Sequence, residues 1–536
     1  MNQVQEKKKI TIYDTTLRDG AQGEGVHFST QEKISYVKRI EEMGSEEMGN
    51  LYVEAGWPGA NPRDEEFFQL VRGMNLSHVR LAAFGSTCKV NESPENSKIL
   101  LQLLASGAKI ITIFGKAWDL HVRDVLRTTL EGNLRIIKES VAFLVSQGRE
   151  VFFDAEHFFD GFKENPDYAL KCIATALDAG AKIVLCDTNG GCLPGEIARG
   201  VKAVISKFAP GELGVHVHND SGLAVANTLV AVESGVTQIQ GTWNGFGERC
   251  GNANLSTLVP LLQLKGNYSV VSDDALLKIT SFSRYVAELS NAPFDEKQPY
   301  VGRSAFAHKA GMHVDAILKN QRTFEHMDPA GVGNERRILI SDQAGKSNIL
   351  ERMRRFAPSI QKDDPRVQTA MTEIKELEHR GFQFEAAEGS FDLLLLRILG
   401  KLPKCPFGVL DYHVWSDPLR GELDSVAVVK VKVGPETVQI ASEGCGPVNA
   451  LDTALRRALE SFFPVLSKSE LVNYKVRVLD GSHGTEAVVR VIIDTRLEQE
   501  VWGTIGVSKN ILKASAQALL DAINWTIWRG SEIQTH

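Results

Sequence analysis

GVHVHNDSGLAVANTLVAVESGVTQIQGTWNG, residues 214–245, reads as one complete strand–helix–strand unit. GVHVHND alternates apolar and polar side chains and ends in Asn219 and Asp220. SGLAVANTLVAVESG carries a helical pattern closed by Gly235, and QIQGTWNG opens the next strand. Moving toward the N-terminus, the same unit recurs back to residue 10. Strand candidates ITIYDTT, LYVEAGW, VRLAAFG, KIITIFG, EVFFDAE and KIVLCDT begin at Ile10, Leu51, Val79, Lys109, Glu150 and Lys182. Helical patterns such as QEKISYVKRIEEM and PENSKILLQLLASGA lie between them. Eight βα units in about 250 residues predict a (β/α)8 TIM barrel rather than an open doubly wound sheet. No GxGxxG follows the first strand, which further disfavours a dinucleotide-binding sheet.

Toward the C-terminus the pattern changes. Residues 1–270 are expected to form the barrel, 271–404 helical subdomains ending in the linker LGKLPKCPFG, and 405–536 a separate α/β module. In that module SVAVVKVKV, YKVRVL and AVVRVIID read as antiparallel strands. VQIASEGCGPVNALDTALRRAL and EVWGTIGVSKNILKASAQALLDAI resemble each other, so an internal duplication is expected. Gly444, Gly446, Gly503 and Gly506 are then read as strand-to-helix turns whose backbone N–H groups suit a carboxylate. The tandem EEMG at 41–44 and 46–49 reads as a loop or helix extension without chemistry, at the face opposite a barrel's functional end.

Composition narrows the function classes. Hydrophobic residues make up 43% and charged residues 24% of 536, with a formal charge of -7, the profile of an ordinary globular protein without a field that attracts nucleic acid or anionic lipid. No apolar run approaches a membrane span, and the N-terminal MNQVQEKKKI lacks the apolar core of a signal peptide. Seven scattered cysteines form no CxxC pair, which fits reduced thiols and a cytoplasmic location.

Functional side chains of a TIM barrel gather at the C-terminal ends of its strands. The first strand ends in Thr15–Asp19, the fifth in Asp154 to His157, the sixth in Asp187, Thr188 and Asn189, and the seventh in His216 to Asp220. The eighth is followed by Asn244 to Asn252. His216 and His218 are two apart on a strand and share a face. With Asp19 from a distant strand they form a metal-site pattern, and Asn252 is placed to ligate or to support the ligands. The same histidines also suit a hydrogen-bonded structural pair. Arg18 would set a fixed cation beside the metal or serve as a rim ion pair, and Glu156 would orient a base or water or pair with a rim lysine.

DTTLRDGAQ (14–22), HVHND (216–220) and GFGERCGN (245–252) together resemble the superfamily that contains isopropylmalate, homocitrate and citramalate synthases and hydroxymethylglutaryl-CoA lyase. FAHKAGMHVDA (306–316), HMDPAGVGN and DQAGKSN add matches beyond the barrel. The tail resembles the synthases' regulatory domain, which the lyase lacks. GWPGANPRD, AFGSTCK, IFGKAWDLHV, DAEHFFDG and DTNGG are similar to one branch of the citramalate synthases. Phe324 stands where these synthases commonly carry a tyrosine, and Cys88 where the branch usually has arginine.

The resemblance implies condensation of acetyl-CoA with pyruvate to citramalate, with isopropylmalate or homocitrate synthesis from another 2-oxo acid as the alternative. It implies Asp19, His216, His218 and Asn252 at a divalent cation (Mn2+, Zn2+, Co2+ or Mg2+). Arg18, Asp154 and Thr188 are implied at the substrate, and Arg18, Glu156 and His313 in catalysis. It further implies a homodimer or higher homo-oligomer, His313 coming from a partner subunit, and isoleucine as feedback inhibitor.

Overall fold

The computed structural model describes residues 7–44, 51–309, 311–338, 346–402, 406–417, 422–479, 486–498 and 500–533. The second EEMG copy and Cys405 lie outside them, as does most of DQAGKSN. Two compact units are present: Met1–Phe306 with Met327–Arg336, and Ala307–His326 with Arg337–His536.

The first unit contains the expected barrel. Eight parallel strands close in sequence order: β1 (Thr11–Asp14), β2 (Leu51–Gly56), β3 (Val79–Ser86), β4 (Ile110–Lys116), β5 (Glu150–Glu156), β6 (Lys182–Asp187), β7 (Leu213–Val217) and β8 (Gln238–Gly241). β1 pairs with both β2 and β8, so no edge is left open. Several of the helices between them start on capping side chains that stop the chain from continuing as strand. Ser29 and Glu32 form a reciprocal capping box at Thr30–Glu41, and Thr129 caps Leu130–Ser146.

Strand periodicity sorts the interior into levels. Tyr13, Tyr52, Ala82, Ile110, Phe152, Val184 and Cys186 form a sealed apolar cluster inside the barrel. Two residues beyond Tyr52, Ile110 and Phe152, the side chains of Glu54, Thr112 and Asp154 are buried and polar, as are His216 and Gln240 on β7 and β8. The barrel is therefore greasy at its base and polar toward its C-terminal mouth. Glu41, in the first EEMG copy, ends its helix and accepts the backbone N–H groups of Ser77 and Val79 at 2.7 and 2.8 Å, which ties the helix end to the entry of β3. Among the described residues no helix is long and apolar enough to cross a membrane.

In the second unit the duplication is visible in the topology. Strands β9 (Gly408–Ser416), β10 (Ser425–Val433) and β11 (Glu436–Gly444) form one antiparallel sheet, followed by helix Pro447–Leu459. Strands β12 (Ser469–Val478), β13 (Val489–Leu497) and β14 (Glu500–Ser508) form a second, followed by helix Ile511–Ile533. Ala427, Val429, Val491 and Ile493 from the two middle strands share a core with Leu451, Leu455, Leu519 and Ile523 from the two helices.

The glycine expectation needs correcting for the second repeat. Gly444 and Gly446 do flank the turn into Pro447, but Gly503 and Gly506 lie inside β14, before the turn. They are there for closeness of approach: a Cβ on Gly506 would fall 1.9 Å from the Ala514 carbonyl oxygen, and one on Gly503 1.9 Å from that of Ala386. Gly506→Ala is accordingly expected to destabilise this unit by about 3 kcal/mol, the upper end of ordinary overpacking costs, because backbone rather than a flexible side chain must move. A urea midpoint followed by tryptophan fluorescence checks this, and an unchanged midpoint would contradict it.

Candidate active site

The loop after β1 is built before any ligand arrives. Asp14 is buried and accepts from the Thr16 N–H at 2.9 Å, the Thr16 hydroxyl at 2.6 Å and the Tyr36 hydroxyl at 2.5 Å. Burial raises its pKa to about 6 despite those bonds. The backbone N–H groups of Arg18, Asp19 and Gly20 then converge on the Thr15 carbonyl at 3.2, 2.9 and 3.1 Å. This tight turn delivers Arg18 and Asp19 to the barrel mouth.

There the structure brings together the residues expected to hold a metal. His216 Nε2 lies 3.2 Å and His218 Nε2 4.0 Å from Asp19 Oδ2, and the two imidazole nitrogens are 3.3 Å apart. All three side chains are buried, and their ligand atoms lie within 4.8 Å of one another. Gln240, unforeseen from the sequence, fixes the ring of His216. Its carbonyl oxygen accepts from Nδ1 at 2.9 Å, which turns Nε2 toward the cluster.

Asn252 donates from Nδ2 to Asp19 Oδ2 at 2.7 Å, while its Oδ1 is buried with no hydrogen-bond partner. The Asn252 loop is pinned to β7 through Ala253 N–H to the Val217 carbonyl and Asn219 N–H to that of Gly251. Arg249 secures it from outside, donating to Asp220 at 2.8 Å and to the Thr188 carbonyl at 2.8 Å. Burial would raise the Asp19 pKa, but the Arg18 and His216 charges outweigh it and hold the carboxylate well below its usual range. Burial and the neighbouring His216 push His218 down to about 3, so its imidazole is neutral. An ionised carboxylate and two imidazole nitrogens, their ligand atoms within 4.8 Å of one another, are donors suited to a divalent cation.

Arg18 is held from three sides. Its Nε donates to Glu54 Oε1 at 2.6 Å, Nη1 lies 3.4 Å from Asp19 Oδ1, and the guanidinium sits 3.7 Å above the Phe84 ring. Glu54 is fully buried and also accepts from the Tyr13 hydroxyl at 2.9 Å. Sequence reasoning passed over Glu54. The available signal was a lone carboxylate at an inward position of the apolar strand LYVEAGW. Asp154 lies at the same level, and burial together with the Glu54 charge raises it to about 7.

Glu156 is ion-paired with Lys116, the last residue of the neighbouring strand. Thr188 accepts the His157 N–H at 2.9 Å, leaving its own O–H to donate. His313 is carried by the second compact unit on helix Gly311–Lys319, where its ring stacks on Phe324 with centroids 4.0 Å apart. It is therefore not among the residues the barrel strands assemble.

Residues 9–286 match the HMGL-like family, 300–381 the homocitrate synthase post-HMGL domain-like family and 385–527 the LeuA allosteric (dimerisation) domain. The (R)-citramalate synthase of Geobacter sulfurreducens is 46% identical over 98% of this chain and 99% of its own length. That of Synechocystis sp. is 45% identical over 97% of this chain and 96% of its own. A probable 2-isopropylmalate synthase of Methanopyrus kandleri is more distant, at 29% identity over 96% of this chain and 98% of its own. End-to-end similarity of this degree, on a barrel of the HMGL-like type with its LeuA-type tail, means that the chain belongs to the (R)-citramalate synthase family.

Proposed function

We infer that the protein condenses acetyl-CoA with pyruvate and water to give (R)-citramalate and CoA, the first step of a pyruvate route to isoleucine. The observation that carries this is the convergence of Arg18 and Asp19 from the loop after β1 with His216 and His218 at the end of β7, at one end of the barrel. The family relationship supports pyruvate over the larger 2-oxo acids.

Asp19, His216 and His218 would hold a divalent cation (Mn2+, Zn2+, Co2+ or Mg2+), with Asn252 bracing Asp19 or joining them, and the ion supplies Lewis-acid polarisation of a keto oxygen. Arg18 presents a second fixed positive charge to the same oxygen as it turns into an alkoxide, a stabilisation that gains strength in a dry pocket. The Thr188 hydroxyl donates to the substrate carboxylate, and the buried Asp154 lines the pocket floor beside Glu54. Glu156 or His313 removes a methyl proton from acetyl-CoA, His313 being supplied by a partner subunit in a homodimer. Hydrolysis of the thioester makes the condensation irreversible. A cytoplasmic location goes with cysteines that are free throughout the described residues.

The direct check is chiral analysis of the product from methyl-labelled acetyl-CoA and pyruvate. (R)-citramalate carrying the label is expected, and no labelled citramalate of either hand would overturn the assignment. The module from residue 405 onward serves dimerisation and feedback. Isoleucine is expected to inhibit the full-length protein more strongly than leucine or valine, by binding the less active arrangement more tightly. Equal insensitivity to all three, in initial-rate assays at limiting pyruvate, would leave the module with dimerisation alone.

A further inference from the structure

Two cations face the barrel mouth from opposite ends of an aromatic strip. Arg18 lies over Phe84, the Phe84 and Phe114 rings stack at 5.6 Å and 22°, and Lys116 Nζ lies 5.4 Å from the Phe114 centroid. Trp57 packs edge-on against both phenyl rings, with centroids 5.7 and 5.9 Å away. The strip keeps the two charges apart and gives each its own apolar surroundings.

The charge at one end already has partners. Arg18 is bound to Glu54 and Asp19, and it faces the metal-ligand cluster. The other end is less committed. Lys116 ends β4 and is directly paired in register with Glu156, which ends β5. Its backbone is fixed beyond the strand by Asn133 Nδ2 donating to the Lys116 carbonyl at 2.8 Å and by the Ala117 N–H donating to that of Glu156 at 3.1 Å. The ammonium is mostly buried, with 14% side-chain exposure. It has three N–H donors, one of which Glu156 takes. For a mostly buried pair the desolvation cost offsets much of the Coulomb attraction, so stability is a weak account of an ammonium at this position.

The condensation develops negative charge on two oxygens, one after the other. The second, the alkoxide from the keto group, is served by Arg18. The first is the thioester oxygen as the acetyl methyl loses its proton. We propose that Lys116 is a further catalytic residue, whose ammonium hydrogen-bonds the thioester oxygen of acetyl-CoA and stabilises the enolate while Glu156 takes the methyl proton. This rests on the condensation assigned above and deepens it. The methyl C–H bond breaks and its proton goes to the Glu156 carboxylate. The C–H electron pair forms the enolate C=C bond, and the thioester π pair moves to the oxygen held by Lys116. The enolate carbon then attacks the pyruvate keto carbon, the carbonyl re-forms and Lys116 keeps its proton throughout. The Phe114 ring on one side of the ammonium and the thioester on another replace the water that would otherwise screen it.

The test compares Lys116→Met with Lys116→Arg in the full-length enzyme, using acetyl-CoA with a protiated or deuterated methyl group. Lys116→Met is expected to lower kcat by about 10²-fold, the cost of losing one oxyanion donor. The pyruvate KM should stay within about threefold, since the contact removed is to acetyl-CoA and not to pyruvate. The deuterium effect on kcat should rise because proton removal becomes slower, and Lys116→Arg should recover at least about tenfold of the loss by restoring a charged donor. Lys116→Gln replaces the methionine variant if that does not fold. A kcat within about threefold of the parent, or a loss without any rise in the isotope effect, would overturn the role of Lys116. Absence of pyruvate-dependent CoA release from the unmutated protein would instead overturn the condensation itself.

Discussion

His216→Ala and His218→Ala are each expected to lower citramalate formation by about three orders of magnitude or more, since Lewis-acid assistance of several kcal/mol is lost with the ion. His216 on β7 and His218 just beyond its end both project into the cluster with Asp19, where nothing else among the described residues supplies a histidine or cysteine ligand. Removing His216 also leaves the Gln240 carbonyl without its donor, and removing His218 leaves a buried hole beside Asn252. Alanine suits a buried strand position, so circular dichroism should be unchanged while the metal content after dialysis falls in proportion to activity. Full metal occupancy with undiminished turnover in either variant would show that the ligands lie elsewhere.

Arg18→Lys is expected to cost about 10²–10³-fold in kcat, with a smaller change in the pyruvate KM. Lysine keeps the charge but has no second nitrogen to span Glu54 and Asp19 together, and it does not lie flat on Phe84 as a guanidinium does. Glu54 would then be a buried carboxylate with a poorer partner, a change that typically costs about 3–5 kcal/mol when a partner is removed outright. A fall in thermal midpoint should therefore accompany the kinetic loss. An unchanged kcat with a raised KM would move Arg18 from transition-state stabilisation to ground-state binding.

Periodicity made the barrel readable. Each strand repeats an apolar run closed by a polar residue or glycine, and the eight observed strands begin within one residue of their expected starts. HxH was readable for the same reason, because residues two apart on a strand must share a face. What stayed hidden were single inward side chains whose meaning depends on a neighbour many residues away. Glu54 gains its role only because β1 lies beside β2, and Gln240 only because β8 lies beside β7. Lys116 acquires Glu156 through register rather than through any local motif.

The glycines of the second repeat failed for a related reason. Sequence shows that small residues are needed near a strand-to-helix turn. It does not show that the need is for close approach of backbone, as at Gly444 against the Ala450 nitrogen and at Gly506 against the Ala514 carbonyl.

The central claim is that this site joins acetyl-CoA to pyruvate. The most direct measurement is release of free CoA thiol from acetyl-CoA with the metal-loaded full-length protein, run separately with pyruvate, 2-oxoisovalerate and 2-oxoglutarate. The expected result is release with pyruvate at a kcat/KM at least about tenfold above either larger acid, the scale on which a cramped apolar pocket discriminates. Faster release with 2-oxoisovalerate or 2-oxoglutarate, or none with pyruvate, would contradict it.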